Sequence, residues 1–541
     1  MEIGIRSDIP TYSGGLGALA GDSVRSCADL KIPLVAVTLV SRKGYLRQQI
    51  TEWGDQIDHP DDWEPSKFMR LLPEAVTVRI EGRDVKIKSW LYDFQSPTGG
   101  LVPVCFLDTY LTENDPEDRD ITSVHYGGDE RYRLKQEIVL GIGGFRMLNA
   151  LKFKINKYHM NEGHSSLLTL ELLKKTNLDA DRTRDLSIFT THTPVEAAFD
   201  KFSYDDVHNI LGEDSVLAEL KKYAGQDRLN TTLLALNLSK YVNGVTKAHM
   251  DYSKHLFPGY HLKAVTNGIH PCTWTSQPFR ELFDAHIPGW ANEPELLVRV
   301  DEIPYQQIWD AHIKAKTLLI DYINKTIDAD MGANVLTLGF ARRAAAYKRA
   351  TFIFSDLDRL RDINKGGRLQ LIFAGKAHPR DEAGKRIIKE IYDYRSKLRG
   401  DINVVYLENY NMDLAGRLTS GVDVWLNTPL PPNEASGTSG MKAAFNGVIN
   451  FSVLDGWWIE GCIEGVTGWA IGPKTHELIG DAERRIRELK DLYNKLEYLV
   501  IPMFYNNRDA WTNMMKNSIG KIAYYFHSHR MMRRYAAEAY L

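Results

Sequence analysis

Short, continuously apolar runs alternate with amphipathic helical stretches along most of this chain, and that alternation constrains its fold more than any other feature. Residues 33–40, 185–190, 334–340, 368–374, 402–407 and 422–426 read as buried strands. A strand that is apolar along its whole length has both faces covered, as in parallel sheets flanked by helices. The pattern therefore predicts an α/β fold. At 541 residues the chain exceeds what one core organises, so two large domains are expected. Thr266-Asn-Gly-Ile-His-Pro271 closes one strand with turn-forming residues, and a long helix is expected near 304–328. The expected division is an N-terminal domain 1–268, a C-terminal domain 269–507 and a helical segment 508–541 with Met, Tyr and Phe along one side.

Composition removes several classes of function. With 67 basic and 70 acidic side chains, the net charge of −3 gives no general attraction to nucleic acid or anionic membranes. No apolar run approaches the roughly 18–20 residues needed to cross a bilayer. The opening Met1-Glu-Ile-Gly-Ile-Arg6 lacks the apolar core of a signal peptide. Cys27, Cys105, Cys272 and Cys462 are scattered without C-x-x-C spacing, so reduced thiols in a cytoplasmic protein are expected.

Four places, the last made of three segments, have residue types suited to chemistry. In Ser13-Gly-Gly-Leu-Gly-Ala-Leu-Ala-Gly-Asp22, after an expected opening strand, Gly14, Gly15 and Gly17 let backbone approach a ligand. The following helix would aim free N–H groups at an anion, although a tight structural turn accounts for the same glycines. Ala341-Arg-Arg-Ala-Ala-Ala-Tyr-Lys-Arg-Ala350 follows the strand 334–340, and α/β folds bind ligands at the carboxyl ends of strands. Its cations suit phosphate oxygens; the alternative is an exposed basic helix. Pro432-Asn-Glu-Ala-Ser-Gly-Thr-Ser-Gly-Met-Lys-Ala-Ala-Phe445 sets small, hydroxylated and glycine residues before a helix, a phosphate cradle without P-loop spacing. Lys442 is either an amphipathic surface residue or a partly desolvated amine suited to a Schiff base. Beside a phosphate cradle, the second reading points to pyridoxal phosphate. Lastly, His159-Met-Asn-Glu-Gly-His164, Thr190-Thr-His-Thr-Pro194 and Thr266-Asn-Gly-Ile-His270 place polar loop residues beside strand ends. Such short directional donors and acceptors suit a sugar, and satisfied loop histidines are the alternative. The H-x₄-H spacing does not match H-E-x-x-H, so no metal is expected.

Together these segments resemble the α-glucan phosphorylases of glycogen, starch and maltodextrin, from Met1-Glu-Ile-Gly4 through Leu454-Asp-Gly-Trp-Trp458. The most specific part is Glu434-Ala-Ser-Gly-Thr-Ser-Gly-Met-Lys442, whose lysine carries pyridoxal phosphate in that family. Related transferases that use sugar nucleotides often carry a second glutamate eight positions after the first, where this chain has Lys442. By the same resemblance, Gly14, Gly15 and Gly17 match the glycine loop beside cofactor and substrate phosphate. Arg342, Gly437 and Thr438 match contacts to the cofactor phosphate. Arg343 and Lys348 match the grip on inorganic phosphate, with Lys348 touching both anions. His192, Asn267, Glu434, Ser436 and Tyr347 match contacts to glucose hydroxyls, and Asn161 and His164 lie in a motif near the glucan site.

The resemblance implies a glycosyltransferase-B fold, with two Rossmann-like domains, a central active-site cleft and a C-terminal helix that packs back on the first domain. It implies a cytoplasmic enzyme whose partners are an α-1,4-glucan, inorganic phosphate and glucose 1-phosphate; a homo-oligomer is left open. The implied catalytic set is Lys442, Arg343, Lys348 and His192. Because the match begins almost at Met1, the chain is expected to lack the N-terminal extension on which regulated relatives depend, and with it phosphorylation and nucleotide control. Two phosphate dianions about 5 Å apart repel by about 13 kcal/mol at an effective dielectric of 20, so such a site needs several fixed cations. Competing readings are a sugar-nucleotide-dependent glucan synthase, a non-catalytic glucan-binding protein and a pyridoxal-dependent aminotransferase. The motif context does not support the last, and no element among Lys442, Thr438, Arg343 and Lys348 is broken, as a degenerate binding protein would require.

Overall fold

A computed structural model describes residues 1–541 apart from 197–198, 213, 328 and 478. The chain forms two compact units. The first comprises Met1–Leu46, Pro60–Thr266 and Met531–Leu541, and the second Arg47–His59 and Asn267–Arg530.

The first unit contains helix α1 (Gly15–Asp29) and two four-stranded sheets. In one sheet, β1 (Ala36–Leu39) runs parallel to a strand at Leu101–Asp108, which continues through antiparallel strands at Arg83–Gln95 and Arg70–Ile80. These three become β4, β3 and β2. This antiparallel part was not among the expected strands. Its residues alternate between buried and exposed because only one face is covered. The second sheet is parallel and contains β5 (Tyr158–Asn161), β6 (Ser187–Thr190), β7 (Tyr241–Gly244) and β8 (Lys263–Ala264) in the order β8-β7-β6-β5. The opening strand expected before the glycine loop does not form. Instead the Ile3 N–H donates to the Thr11 carbonyl and the Gly4 N–H to the Gly17 carbonyl.

In the second unit, β9 (Leu336–Ala341), β10 (Leu369–Ala374), β11 (Asn403–Leu407), β12 (Val424–Asn427), β13 (Ile449–Val453) and β14 (Gly468–Ile471) build one parallel sheet in the order β11-β10-β9-β12-β13-β14. Counted within the unit this is 3-2-1-4-5-6, the order of a doubly wound dinucleotide-type sheet. The winding reverses between β9 and β12, the position at which doubly wound sheets bind ligands outside the carboxyl ends of their strands. Helix α2 (Tyr305–Ile327) covers the expected 304–328, residue 328 lying outside the described residues. A buried triad fixes it to the sheet. Asp423 Oδ1 lies 2.8 Å from His312 Nε2, and Asp423 Oδ2 accepts from Lys316 Nζ at 2.5 Å and from the Thr337 N–H at 2.7 Å.

The units divide at 266/267 and not at the expected 268/269, because residues after Asn267 bond to the end of the same unit. The Ile269 N–H donates to the Phe526 carbonyl and the Ser528 N–H to the Ile269 carbonyl. The same contacts interrupt the helix expected over 508–541. Arg508–Ser518 runs on through a wider turn at Ile519–Ala523, helix resumes at Ser528–Tyr535 and runs on through Ala536–Tyr540, and only Met531–Leu541 belongs to the first unit. There the Tyr535 hydroxyl lies 3.1 Å from Thr190 Oγ1 and accepts from Asn243 Nδ2 at 2.9 Å. The hairpin Arg47–Ile50/Gln56–His59 is held in the second unit by side-chain amides. Gln48 Nε2 donates to the Gly375 carbonyl and Gln56 Nε2 to the Ala377 carbonyl, each at 2.9 Å. Among the described residues no helix is long and apolar enough to cross a membrane.

Candidate active site

The densest set of functional groups lies on the loops leaving β9 and β12, at the reversal of the second sheet. The basic segment does not form the helix that was its alternative. After Ala341 the chain is extended, makes one tight turn at Ala346–Lys348, and passes through a left-handed residue, Arg349, at φ +51°. That conformation turns Arg349 away from its neighbours. Its guanidinium donates to the Thr428 and Pro429 carbonyls and pairs with the buried Glu488 carboxylate, so this cation serves the fold.

Arg342 and Lys348 face the other way and meet a residue 86 and more positions later. Arg342 Nη2 and Lys348 Nζ both donate to one oxygen, Glu434 Oε2, each at 2.5 Å. Burial alone would raise the Glu434 carboxyl. The charges of Arg342 and Lys348 outweigh it and hold the group at about 2. Arg342 Nη1 is buried without a hydrogen-bond partner, a donor still available to an anion. Tyr347 lies under the Lys348 ammonium, 4.4 Å from nitrogen to ring centroid, and its carbonyl accepts the Leu430 N–H. Arg343 is exposed.

A turn at 455–457 is laid against the loop carrying Glu434. Asp455 Oδ2 accepts the Glu434 N–H at 3.0 Å, Asp455 Oδ1 accepts the Gly456 N–H at 2.9 Å, and the Trp457 N–H donates to the Ser436 carbonyl. Gly456 has φ +53°, and a Cβ there would come within 2.5 Å of the Ser436 carbonyl oxygen. Burial pushes the Asp455 carboxyl up to about 7 despite its two N–H donors. Ser436 Oγ is buried with no partner, and Gly437, at φ +86°, turns the chain into the short helix α3 (Ser439–Ala444), with Thr438 as its cap residue.

Lys442 is buried within α3, its ammonium 3.4 Å from the centroid of the Trp274 ring. Asn446 holds the two together, donating to the carbonyls of both Trp274 and Lys442. An amine against an aromatic face, a buried hydroxyl without a partner and a guanidinium nitrogen without a partner fit an aldehyde cofactor that carries a phosphate. Asn267 is buried in this unit. Its carbonyl accepts from Arg530 Nη2, while its Oδ1 has no partner.

The first unit holds the other expected residues. Gly14 precedes α1 without any side-chain cap, and α1 has no acidic residue in its first turn. A Cβ added at Gly14 or Gly15 would meet nothing within 4 Å, whereas one at Gly17 would lie 2.6 Å from Tyr12. The Ser13 and Gly14 N–H groups donate to Glu2 Oε2 at 2.6 and 3.2 Å. Asn161 ends β5, His192 lies in the loop that leaves the adjacent β6, and His192 Nε2 lies 2.6 Å from Asn161 Oδ1. Burial, with His249 and His159 nearby, lowers His192 to about 3, so its ring is neutral at physiological pH. His164 Nε2 lies 3.7 Å from Asp200, and burial holds its ring well below the ordinary range. His159 lies within β5 and not in a loop as expected, and it contacts the Tyr540 and Thr190 hydroxyls, each at 2.8 Å, so both ring nitrogens are satisfied.

Residues 186–497 match the carbohydrate phosphorylase family. Over its whole length the chain is 39% identical to a maltodextrin phosphorylase of Thermococcus litoralis, covering 70% of that protein. This chain belongs to the carbohydrate phosphorylase family. It is also 35% identical to a glycogen phosphorylase of Aquifex aeolicus, covering 85% of it, and 33% identical to a glycogen phosphorylase of Mycobacterium tuberculosis, covering 70%. In each case all of this chain is aligned. The chain is thus a phosphorylase-type enzyme, and the family match contains the Arg342–Lys348 and Glu434–Lys442 segments. Sequence reasoning about this phosphorylase passed over Glu2, Glu162, Trp274 and Asp455. Three of them act through backbone N–H groups, which no side-chain pattern advertises.

Proposed function

We propose that this phosphorylase transfers the non-reducing terminal glucose of an α-1,4-glucan to inorganic phosphate, giving α-D-glucose 1-phosphate with retained configuration, and that Lys442 carries pyridoxal phosphate. The observation that carries the reading is the meeting of Arg342 and Lys348 on one carboxylate oxygen at the sheet reversal, with a donor of Arg342 left over. The names of the relatives, maltodextrin and glycogen phosphorylase, support an α-glucan as substrate. The glycosyltransferase-B reading and a cytoplasmic location belong to the same proposal. The first is supported by a parallel sheet in each unit, the second by four scattered cysteines.

Each group then has a task. Arg342, Arg343 and Lys348 bind phosphate oxygens, and the glycine loop leaves open space for an anion beside Gly14 and Gly15, the Gly14 N–H itself being bonded to Glu2. Gly437 and Thr438, with Arg342, receive the cofactor phosphate. Asn267, Glu434, Ser436, Tyr347, His192 and Asn161 orient the glucose hydroxyls, with His164 beside them. When bound, pyridoxal phosphate supplies a phosphate monoester with a second pKa near 6, able to exchange a proton near neutral pH. The substrate phosphate protonates the glycosidic oxygen as an oxocarbenium-like species develops. The fixed cations hold that phosphate where the proton is needed.

The test is the intact mass after borohydride reduction of cofactor-supplied protein, with peptide mapping, beside an assay of glucose 1-phosphate released from maltooligosaccharide and phosphate. A pyridoxyl phosphate adduct on Lys442 together with phosphate-dependent release supports the proposal. Folded protein with an unmodified Lys442 and no release overturns it.

A further inference from the structure

At the end of β5 a side-chain-bearing residue adopts a backbone conformation that is essentially the preserve of glycine. Glu162 has φ +71° and ψ 171°. Its surroundings over-determine that state. The Glu162 N–H donates to the Thr190 carbonyl at 2.9 Å, continuing the ladder between β5 and β6. The carboxylate then folds back. Oε1 accepts the Gly163 N–H at 3.2 Å, and Oε2 accepts the His192 N–H at 2.8 Å and the Thr193 hydroxyl at 2.9 Å. Gly163 cannot yield on the other side, since even a Cβ there would lie 2.7 Å from Thr231 Oγ1.

We propose that Glu162 is a positioning residue for the glucose subsite, its carboxylate holding the loop that leaves β6 so that the His192 ring meets Asn161. The inference rests on the phosphorylase reading, in which His192 and Asn161 contact the terminal glucose. The product of this hold is a defined hydrogen-bonding pair. A neutral His192 that donates from Nε2 to Asn161 Oδ1 keeps Nδ1 as an acceptor, and the Asn161 amide keeps its NH₂ donors. One acceptor and one donor side by side is what a sugar hydroxyl requires. The arrangement works against stability. Burial raises the Glu162 carboxyl above its ordinary range, and the donors from His192, Thr193 and Gly163 only partly offset this. A residue kept for stability alone would be a glycine here.

The test compares Glu162→Gly with the wild-type holoenzyme in three measurements. The thermal midpoint of the variant is expected to equal or exceed that of the wild type, because glycine takes this φ freely and the buried carboxylate is gone. Its kcat/KM for maltooligosaccharide is expected to fall at least about tenfold, with KM for phosphate within about twofold. In histidine-labelled protein, the His192 Nε2–H proton resonance of the wild type is expected to be lost or to exchange faster. A lower midpoint with unchanged kcat/KM makes Glu162 a purely structural turn residue and overturns the proposal, as does an unchanged His192 resonance. Wild-type protein that releases no glucose 1-phosphate, while the His192 resonance still responds to the substitution, assigns the failure to the phosphorylase reading instead.

Discussion

Replacing Glu434 by Gln keeps the shape of the side chain and removes the charge that Arg342 and Lys348 share. The two cations hold the Glu434 carboxyl at about 2, against an ordinary value of 4.5, and that displacement corresponds to about 3 kcal/mol. The side chain is only 11% exposed, so solvent screening takes little from the figure. Because the folded-state value is depressed, this stabilisation is fully present above about pH 4.5 and is lost as pH falls through about 2. At pH 7, Glu434→Gln should therefore lower the melting midpoint of the second unit, with its roughly 280 residues, by about 5 °C. The gap should narrow to about half as the scans move to pH 3. Inorganic phosphate should then stabilise the variant more than the wild type, since it gains two cations that are no longer neutralised. Differential scanning calorimetry from pH 3 to 7, with and without phosphate, reads all three effects. An unchanged midpoint at pH 7, or a variant that phosphate stabilises less than wild type, would refute the reasoning.

Lys348→Ala should leave the borohydride-fixed mass on Lys442 unchanged while cutting phosphorolysis by about a hundredfold or more, the value of a charge-assisted contact made in the transition state. Near-normal turnover would remove Lys348 from the phosphate grip. Asp423→Asn leaves the fully buried Lys316 without its counter-charge, which should cost about 3–5 kcal/mol in calorimetry; a loss under about 1 kcal/mol would contradict the triad's role. Gly15→Ala adds a methyl that meets nothing within 4 Å, so the midpoint should stay within about 1 °C of wild type while KM for phosphate rises. An unaltered KM would detach the glycine loop from anion binding.

The parallel strands of the second unit are legible in the sequence because burial on both faces turns them into plain apolar runs. Every residue of Leu336–Ala341 and Leu369–Ala374 is buried. Their ends are less legible, since the apolar pattern continues into flanking turns; the run 33–40 contributes only Ala36–Leu39 to a strand. The order of pairing is absent from the pattern, because β12 joins β9 across more than 80 intervening residues. The site follows the same division. Each of Arg342, Lys348 and Glu434 stands out as a charge in a loop after a strand, but their meeting is a long-range event. Arg349 has the same local credentials as Lys348, and only its left-handed backbone sends it to Glu488. Glu2 and Glu162 are single acids beside apolar runs, and they act on backbone N–H groups, which every residue but proline owns.

Two buried cations a few ångströms apart need a counter-charge, and the chain supplies its own in Glu434. On the proposed function, phosphate binding is then an exchange. The anion takes donors from Arg342 and Lys348, and the Glu434 carboxylate is released to accept hydroxyls of the terminal glucose. The same carboxylate cannot serve both masters at full strength, so the two ligands must be coupled, and the coupling must be reciprocal. Sulfate, a tetrahedral anion that cannot be glucosylated onward, allows the coupling to be measured without turnover. Saturating sulfate should tighten maltooligosaccharide binding by about 5- to 150-fold in calorimetric titration, corresponding to about 1–3 kcal/mol of the stabilisation held by Glu434. The effect should vanish in Glu434→Gln, where no carboxylate is released. Equal affinity for the oligosaccharide with and without sulfate in wild-type protein would mean that Glu434 stays on the cations throughout, and that the glucose hydroxyls are bound by other groups.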